Sequence, residues 1–262
     1  MPYNYEMALR RFYWPDSVEL LTESLLVRGD LFHHIRDVCR FGAGDQFEIL
    51  PGDGRALLYQ VTSVGGRDLQ AQRISARTLP PPARPAVTLA LSVPKLPKVD
   101  WIVEKASELG VDEIRPFTSD HSFLRDAREI KENRLERWRK LSMGATQQSG
   151  RGDVMQICPA SSLQDLWREW EAANRRERIV GLFPFEGEAQ MGLRRALHDL
   201  KAVDPDRIWV FVGSEGGFSQ REVAIFGEKG MQAVSMGHQI LRVETACLAL
   251  VSVIKYEVGA LE

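Results

Sequence analysis

The run RIWVFVGSEGGFSQREV, residues 207–223, carries an apolar segment directly into three glycines interrupted by a glutamate. Residues 208–212 are β-branched or aromatic without a polar break, the pattern of a short strand buried on both faces. Ser219 followed three residues later by Glu222 is a capping-box signature, so a helix is predicted to start just after Ser219. Val223, Ala224, Ile225 and Phe226 supply its apolar positions, and Gly230 is placed to stop it. The glycines therefore fall in a strand-to-helix turn, where α/β proteins bind ligands and where a missing Cβ allows close approach to the main chain.

A nucleoside triphosphate loop would end in Gly-Lys-Ser/Thr, and a dinucleotide loop would read G-x-G-x-x-G; GSEGGFS does neither. Glu215 also argues against a phosphate, which a neighbouring carboxylate repels. Free backbone N–H groups around a carboxylate suit hydroxyls, an amide edge or a cation. A tight turn with no ligand is the competing reading. If a ligand does sit against this backbone, a side chain at Gly216 is expected to block it and leave the fold intact.

The rest of the chain predicts an α/β architecture. Residues 87–93 (VTLALSV), 112–117 (DEIRPF) and 178–183 (RIVGLF) read as strands. A helix is predicted over 98–110, a charged one over about 128–148, and further helices begin at Ser162 and in MGLRRALHDLK. Such alternation implies a mostly parallel sheet with helices on both faces. Residues 79–86, LPPPARPA, hold four of the thirteen prolines and read as a linker. Before it, DQFEIL and ALLYQVTSV flank the turn PGDGR, and DLQAQRIS follows Gly65-Gly66, so the N-terminal part reads as a small β domain. The expected division is 1–79, a linker at 80–86, and 87–262.

The chain has 262 residues, 44% hydrophobic and 27% charged, with a net charge of −2. That is a globular composition; it excludes a disordered chain and a uniformly basic nucleic-acid binder, but not local basic patches. Three cysteines (Cys39, Cys158, Cys247) with no C-x-x-C pair fit a reducing compartment, and no metal site is expected; His33-His34 has no third ligand nearby. No signal peptide or membrane span is apparent, so an intracellular location is expected. The last helix, about 243–258, is apolar nearly all round, which predicts cover on more than one side and a homodimer contact.

A second loop, MGHQILRVETA at 236–246, lies between the strand QAVSM and that last helix. With GSEGGFS it resembles the two glycine-bearing loops of RsmE-type 16S ribosomal RNA methyltransferases in the SPOUT superfamily. LRRFYW at 9–14, EKASELGVDEIRPF after the linker and GATQQSGR closing the charged helix are similar to further family segments. The first of these makes Met7 a plausible start. Ser214 stands where proline is usual, Gln147 where glutamate is usual, and Met236 where leucine is usual.

The resemblance implies a trefoil-knotted parallel sheet flanked by helices, preceded by a PUA-like β-barrel domain that binds RNA. It implies S-adenosylmethionine as cofactor, held by main-chain groups of Leu182, Phe183 and Pro184, of Gly213, Glu215, Gly216 and Gly217, and of Met236, Gly237, Ile240, Leu241 and Arg242. Glu215 would face cofactor hydroxyls or anchor its loop through neighbouring N–H groups. The implied reaction is methyl transfer to N3 of a uridine in 16S ribosomal RNA within the small subunit. Arg242 is the candidate cation for the uridinate oxygens and Glu244 the candidate base or orienter.

For RNA contact, residues 125–151 hold eight Lys/Arg against four Asp/Glu. Arg125 and Arg151 in that segment, with Arg10, Arg11, Lys95 and Lys98 elsewhere, are the candidate phosphate contacts. A methyltransferase acting on transfer RNA, or a non-catalytic RNA-binding assembly protein on the same fold, is the alternative.

Overall fold

The protein is described from a computed structural model, over residues 9–15, 22–187 and 191–261. Met7 lies outside the described residues. The chain runs through β1 (Arg10–Tyr13), β2 (Ser24–Val27), α1 (Gly29–His33), β3 (Gln46–Leu50), β4 (Arg55–Val64), β5 (Leu69–Thr78) and β6 (Ala86–Ser92). It continues with α2 (Leu96–Glu108), β7 (Glu113–Thr118), α3 (Glu132–Ser149), β8 (Gln156–Ile157), β9 (Ser161–Ser162), α4 (Leu163–Asn174) and β10 (Ile179–Pro184). The last elements are β11 (Met191–Gly192), α5 (Leu193–Val203), β12 (Arg207–Val212), α6 (Gln220–Glu228), β13 (Gln232–Ser235) and α7 (Val243–Glu257).

Two compact units form. The first comprises Met1–Pro81 with Thr146–Val154; the second comprises Pro82–Ala145 with Met155–Glu262. The grouping of 146–154 with the first unit is a feature that the proline-rich segment does not announce.

The first unit is a five-stranded sheet in the order β1-β3-β4-β5-β2. β3, β4, β5 and β2 pair antiparallel, and β1 lies parallel to β3. Leu57, Tyr59 and Val61 alternate inward along β4 and meet Phe12, Phe47, Ile49, Leu69 and Ala71 in one core. Phe12 is buried there, so of the aromatic trio at 12–14 it is a packing residue.

The second unit is built on a wholly parallel sheet in the order β11-β13-β10-β12-β6-β7-β8, with β9 added on β7. All seven residues of β6 and five of the six in β12 are buried, the pattern expected of a strand covered on both faces. Strand alternation sorts their side chains. Ile208, Val210 and Val212 join an aliphatic core with α2 and α7 residues such as Val99, Ile102, Cys247 and Leu250. Trp209 and Phe211 turn to the other face, where Trp167, Trp170, Phe183, Phe218 and Phe226 form an aromatic core.

The charged helix starts later than its composition suggests. Asp126 caps a single 3-10 turn over Ala127–Glu129, Ile130 is extended, and α3 begins only at Glu132. By contrast Ser219 caps α6 as expected: its hydroxyl accepts from the Glu222 N–H, and Glu222 accepts from the Ser219 N–H. α7 is less evenly apolar in its surroundings than in its sequence. Ala246, Leu250, Val251 and Ile254 are buried within the unit, whereas Val253 and Tyr256 are exposed.

Candidate functional site

β13, β10, β12, β6 and β7 are neighbours and all parallel, so the loops leaving their carboxyl ends share one edge of the sheet. The step from β12 through α6 to β13 passes over β10, and such a change of winding opens a crevice between loops. A cavity of about 820 Å³ lies there. It is lined by Pro184, Phe185 and Glu186 after β10, by residues 213–218 after β12, and by residues 235–243 after β13, with Lys98 and Ala246 from α2 and α7. Pockets for small molecules span about 300–1,000 Å³.

Most of the residues expected to hold a cofactor meet in this cavity: Pro184, Gly213, Glu215, Gly216, Gly217, Met236, Gly237, Ile240, Leu241 and Arg242. Leu182 and Phe183 do not line it. Both are almost fully buried, Leu182 in the aliphatic core and Phe183 in the aromatic one, because strand alternation turns them into the two faces of the sheet. Phe185, Glu186, Ser235 and Ala246 line the cavity without having been singled out. Their only sequence signal is adjacency to the loops already named.

The glycines have separate reasons to be bare. Gly217 has φ +63 and Gly237 φ +108, which favour glycine on backbone grounds. A Cβ on Gly213 would come 3.0 Å from the Gly217 main chain. Gly216 is the instructive case. A Cβ there would stand 2.8 Å from the His121 Cβ, so its bareness serves loop-to-loop packing. The expectation that a side chain at Gly216 would leave the fold intact is therefore corrected.

That packing is stitched by polar contacts. The Gly216 carbonyl accepts from His121 Nδ1 at 2.9 Å, and the Ser214 hydroxyl donates to the His121 carbonyl at 2.5 Å. Ser219 donates to Asp120 Oδ2, and the Asp120 N–H donates to Glu222 Oε1. Serine at 214 thus supplies a tether of its own to the loop after β7.

Glu215 and Glu244 come to one cation. Lys98 Nζ lies 3.3 Å from Glu215 Oε1 and 3.2 Å from Glu244 Oε2. Burial pushes the Glu215 carboxyl up, but its own N–H, the Lys95 N–H and the Lys98 ammonium outweigh that and hold it below the ordinary range. Burial acts the same way on Glu244, and its own N–H, Lys98 and Arg242 again hold it low. Lys98 is itself raised, burial being outweighed by the two carboxylates. Arg242, at the N-cap of α7, is exposed and has no ion-pair partner among the described residues.

The candidate RNA contacts separate into two kinds. Arg10 and Lys95 are exposed, and Arg125 is exposed with its guanidinium on the Asp120 carbonyl. Arg11 is instead engaged by Glu48 at 3.1 Å and the Gln148 carbonyl, Arg151 by Asp153 at 2.6 Å, and Lys98 by the cavity carboxylates. These three are engaged in ion pairs within the chain. A smaller cavity beside α2 and α3, of about 370 Å³, adds Asn133, Arg134 and Arg137 around Asp100. Among the described residues no group of three or more His, Cys, Asp or Glu is placed to hold a metal, and no helix is long and apolar enough to cross a membrane.

A parallel α/β sheet with a ligand cavity among glycine loops at its carboxyl edge, joined to a small β domain, defines a two-domain enzyme architecture. A family model described as an RNA methyltransferase domain matches residues 81–255, and one described as an RNA methyltransferase PUA domain matches residues 27–72. The chain belongs to this RNA methyltransferase family. It is similar to ribosomal RNA small subunit methyltransferase E of Bacillus subtilis, 29% identical over 238 residues, covering 88% of this chain and 89% of the relative. The Aquifex aeolicus protein of the same name is 29% identical over 231 residues, covering 88% and 93%. The crystal structure of a ribosomal RNA small subunit methyltransferase E from Neisseria gonorrhoeae bound to S-adenosyl methionine superimposes with a TM-score of 0.78 at 26% identity, covering 95% of this chain and 97% of that one.

Proposed function

We propose that this protein uses S-adenosylmethionine to methylate N3 of a uridine in 16S ribosomal RNA, in the cytoplasm. The observation that carries the reading is the single cavity into which the loops after β10, β12 and β13 converge. The names of the Bacillus and Aquifex relatives support a ribosomal RNA substrate, and the cofactor bound by the Neisseria relative supports the donor. The cavity's chemistry fits that donor. Its backbone is bare at Gly213, Gly217 and Gly237, its walls are apolar at Val212, Met236, Leu241 and Val243, and carboxylates stand at Glu186 and Glu215, with Glu244 beside them on Lys98.

When bound, the cofactor supplies an electrophilic methyl group on a sulfonium. The chain's own task is to hold N3 in line with that methyl and to ease departure of the N3 proton. As that proton leaves, negative charge grows on the uracil oxygens. Arg242, exposed at the cavity wall and free of ion pairs among the described residues, is the cation we assign to that charge. Glu244 is held anionic below the ordinary carboxylate range, which makes it a weak proton acceptor. We therefore assign it the orienting role.

RNA contact on the α/β unit would use the exposed charges Lys95 and Arg125. A homodimer would use the outer stripe of α7, where Val253 and Tyr256 are 41% and 67% exposed. The burial argument for pairing is narrower than the sequence suggests, because six of the apolar residues of α7 are already covered within the unit.

The test is to supply labelled S-adenosylmethionine with 16S ribosomal RNA, assembled small subunits and transfer RNA in parallel, then digest and identify the modified nucleoside. N3-methyluridine from the 16S RNA or the small subunit is the expected result. Label confined to transfer RNA, label on another atom, or cofactor-independent RNA binding alone would overturn the reading.

A further inference from the structure

Lys98 is the third residue of α2, a position where the helix macrodipole disfavours a cation. No acidic residue stands in that first turn to offset it, and no side chain caps the helix. The offset comes from far along the chain. Glu215, from the loop after β12, meets both the Lys98 ammonium and the Lys95 N–H, the latter at 3.4 Å. Glu244, from the first turn of α7, meets the same ammonium from the other side. One lysine thus joins the starts of two helices and the glycine loop, and all three participants line or flank the cavity. With one positive and two negative charges, the trio presents a net negative charge.

We infer that Lys98 is a positioning residue of the cofactor site, one that sets Glu215 and Glu244 as a fixed anionic pair beside the cavity, rather than a phosphate contact for RNA. The inference rests on the methyltransferase reading for the identity of the ligand but not for the geometry. Without the ammonium, two carboxylates would face each other with only backbone N–H groups and Arg242 to steady them. At least one would take up a proton more readily, and the glycine loop would lose its tie to α2. The other titratable groups around the trio are Arg242 on the same helix start, His238 and Glu186 on the cavity wall, His121 behind the glycine loop, and Cys247, a buried thiol raised by burial and then by Glu244.

The experiment compares the full chain with Lys98→Met, Lys98→Arg and, as a charge-matched control on the same helix, Lys105→Met. Calorimetry with S-adenosylhomocysteine across pH 5.5 to 8 reads the site without turnover. NMR titration of the glutamate carboxylates reads it without ligand. Lys98→Met should weaken binding about tenfold at neutral pH, the loss of one charge-assisted contact. The binding should also fail at a higher pH than in the wild type, with Glu215 or Glu244 titrating upward. Lys98→Arg should restore most of the affinity, and Lys105→Met should change none of these.

Unchanged affinity and carboxylate titration in a folded Lys98→Met variant overturn the inference. So does a variant that loses only RNA affinity and salt dependence, which would return Lys98 to phosphate contact. If the wild type binds no S-adenosylhomocysteine, the cofactor reading is what has failed, and the carboxylate titration still decides whether Lys98 sets the pair.

Discussion

Gly216→Ala tests whether the glycine loop is shaped by its neighbour. The added Cβ would stand 2.8 Å from His121 Cβ, 3.1 Å from Cγ and 3.4 Å from Nδ1. Carbon atoms pack at about 3.5–4.0 Å, so the two loops must part by about 1 Å. His121 cannot swing clear, because the nearest clash is at its Cβ and its carbonyl is held by Ser214. Overpacking of this kind costs about 1–3 kcal/mol. At about 2 kcal/mol, melting of a unit this size should fall by about 4–8 °C. Cofactor affinity should fall with it, since the displaced main chain lines the cavity, and a misplacement of about 1 Å can lower turnover about a hundredfold. Scanning calorimetry and cofactor titration on the same sample read both. Gly227→Ala, where a Cβ meets nothing within 4 Å, is the control. A folded Gly216→Ala protein with wild-type melting and affinity would refute the reasoning.

The exposed cations should behave differently from the engaged ones. Neutralising Lys95 and Arg125 together should weaken RNA binding and reduce its salt slope by about two, whereas Arg11→Ala should act on melting and leave the slope unchanged. Glu48 should govern an acid limb of stability. Hydrogen bonds from Arg77, with Arg11 adding to them, hold its carboxyl low against burial. Its contribution is therefore present above the ordinary carboxylate range and lost as pH falls through the lowered value, so Glu48→Gln should flatten the melting-temperature profile below about pH 4.5. On α7, Tyr256→Glu should lower association, measured by light scattering, with little change in melting. Val251→Glu should instead unfold the chain, because Val251 is fully buried in its own core; equal effects of the two would remove α7 as the contact.

Legibility in the sequence followed the range of the interaction. The Ser219–Glu222 box and the Gly230 stop of α6 could be read because every partner lies within one helix. The buried strands β6 and β12 could be read because burial on both faces leaves an unbroken apolar run. The ion pairs of Lys98 were hidden for the opposite reason: its two partners lie more than a hundred residues downstream, and locally it is one more charge in a basic stretch. Gly216 was recognised as a bare position, but its partner His121 carries no motif of its own. Leu182 and Phe183 border the right loop, and only the sheet shows that alternation turns both away from it. The delayed start of α3 depends on Ile130, an apolar residue whose extended backbone nothing in its charged surroundings signals.

The membership of Thr146–Val154 in the first unit bears on the order of synthesis. Arg11 donates to the Gln148 carbonyl, a Cβ on Gly150 would come 3.0 Å from the Arg11 guanidinium, and one on Gly152 would come 3.1 Å from Leu79. The amino-terminal β domain therefore lacks part of its own packing until residue 154 has been made, by which point β6, α2, β7 and α3 have been made as well. N-terminal domains ordinarily finish folding first during translation. Here the first domain has to wait for a segment delivered midway through the second, and a fragment cut at the proline-rich linker would be missing a piece of itself.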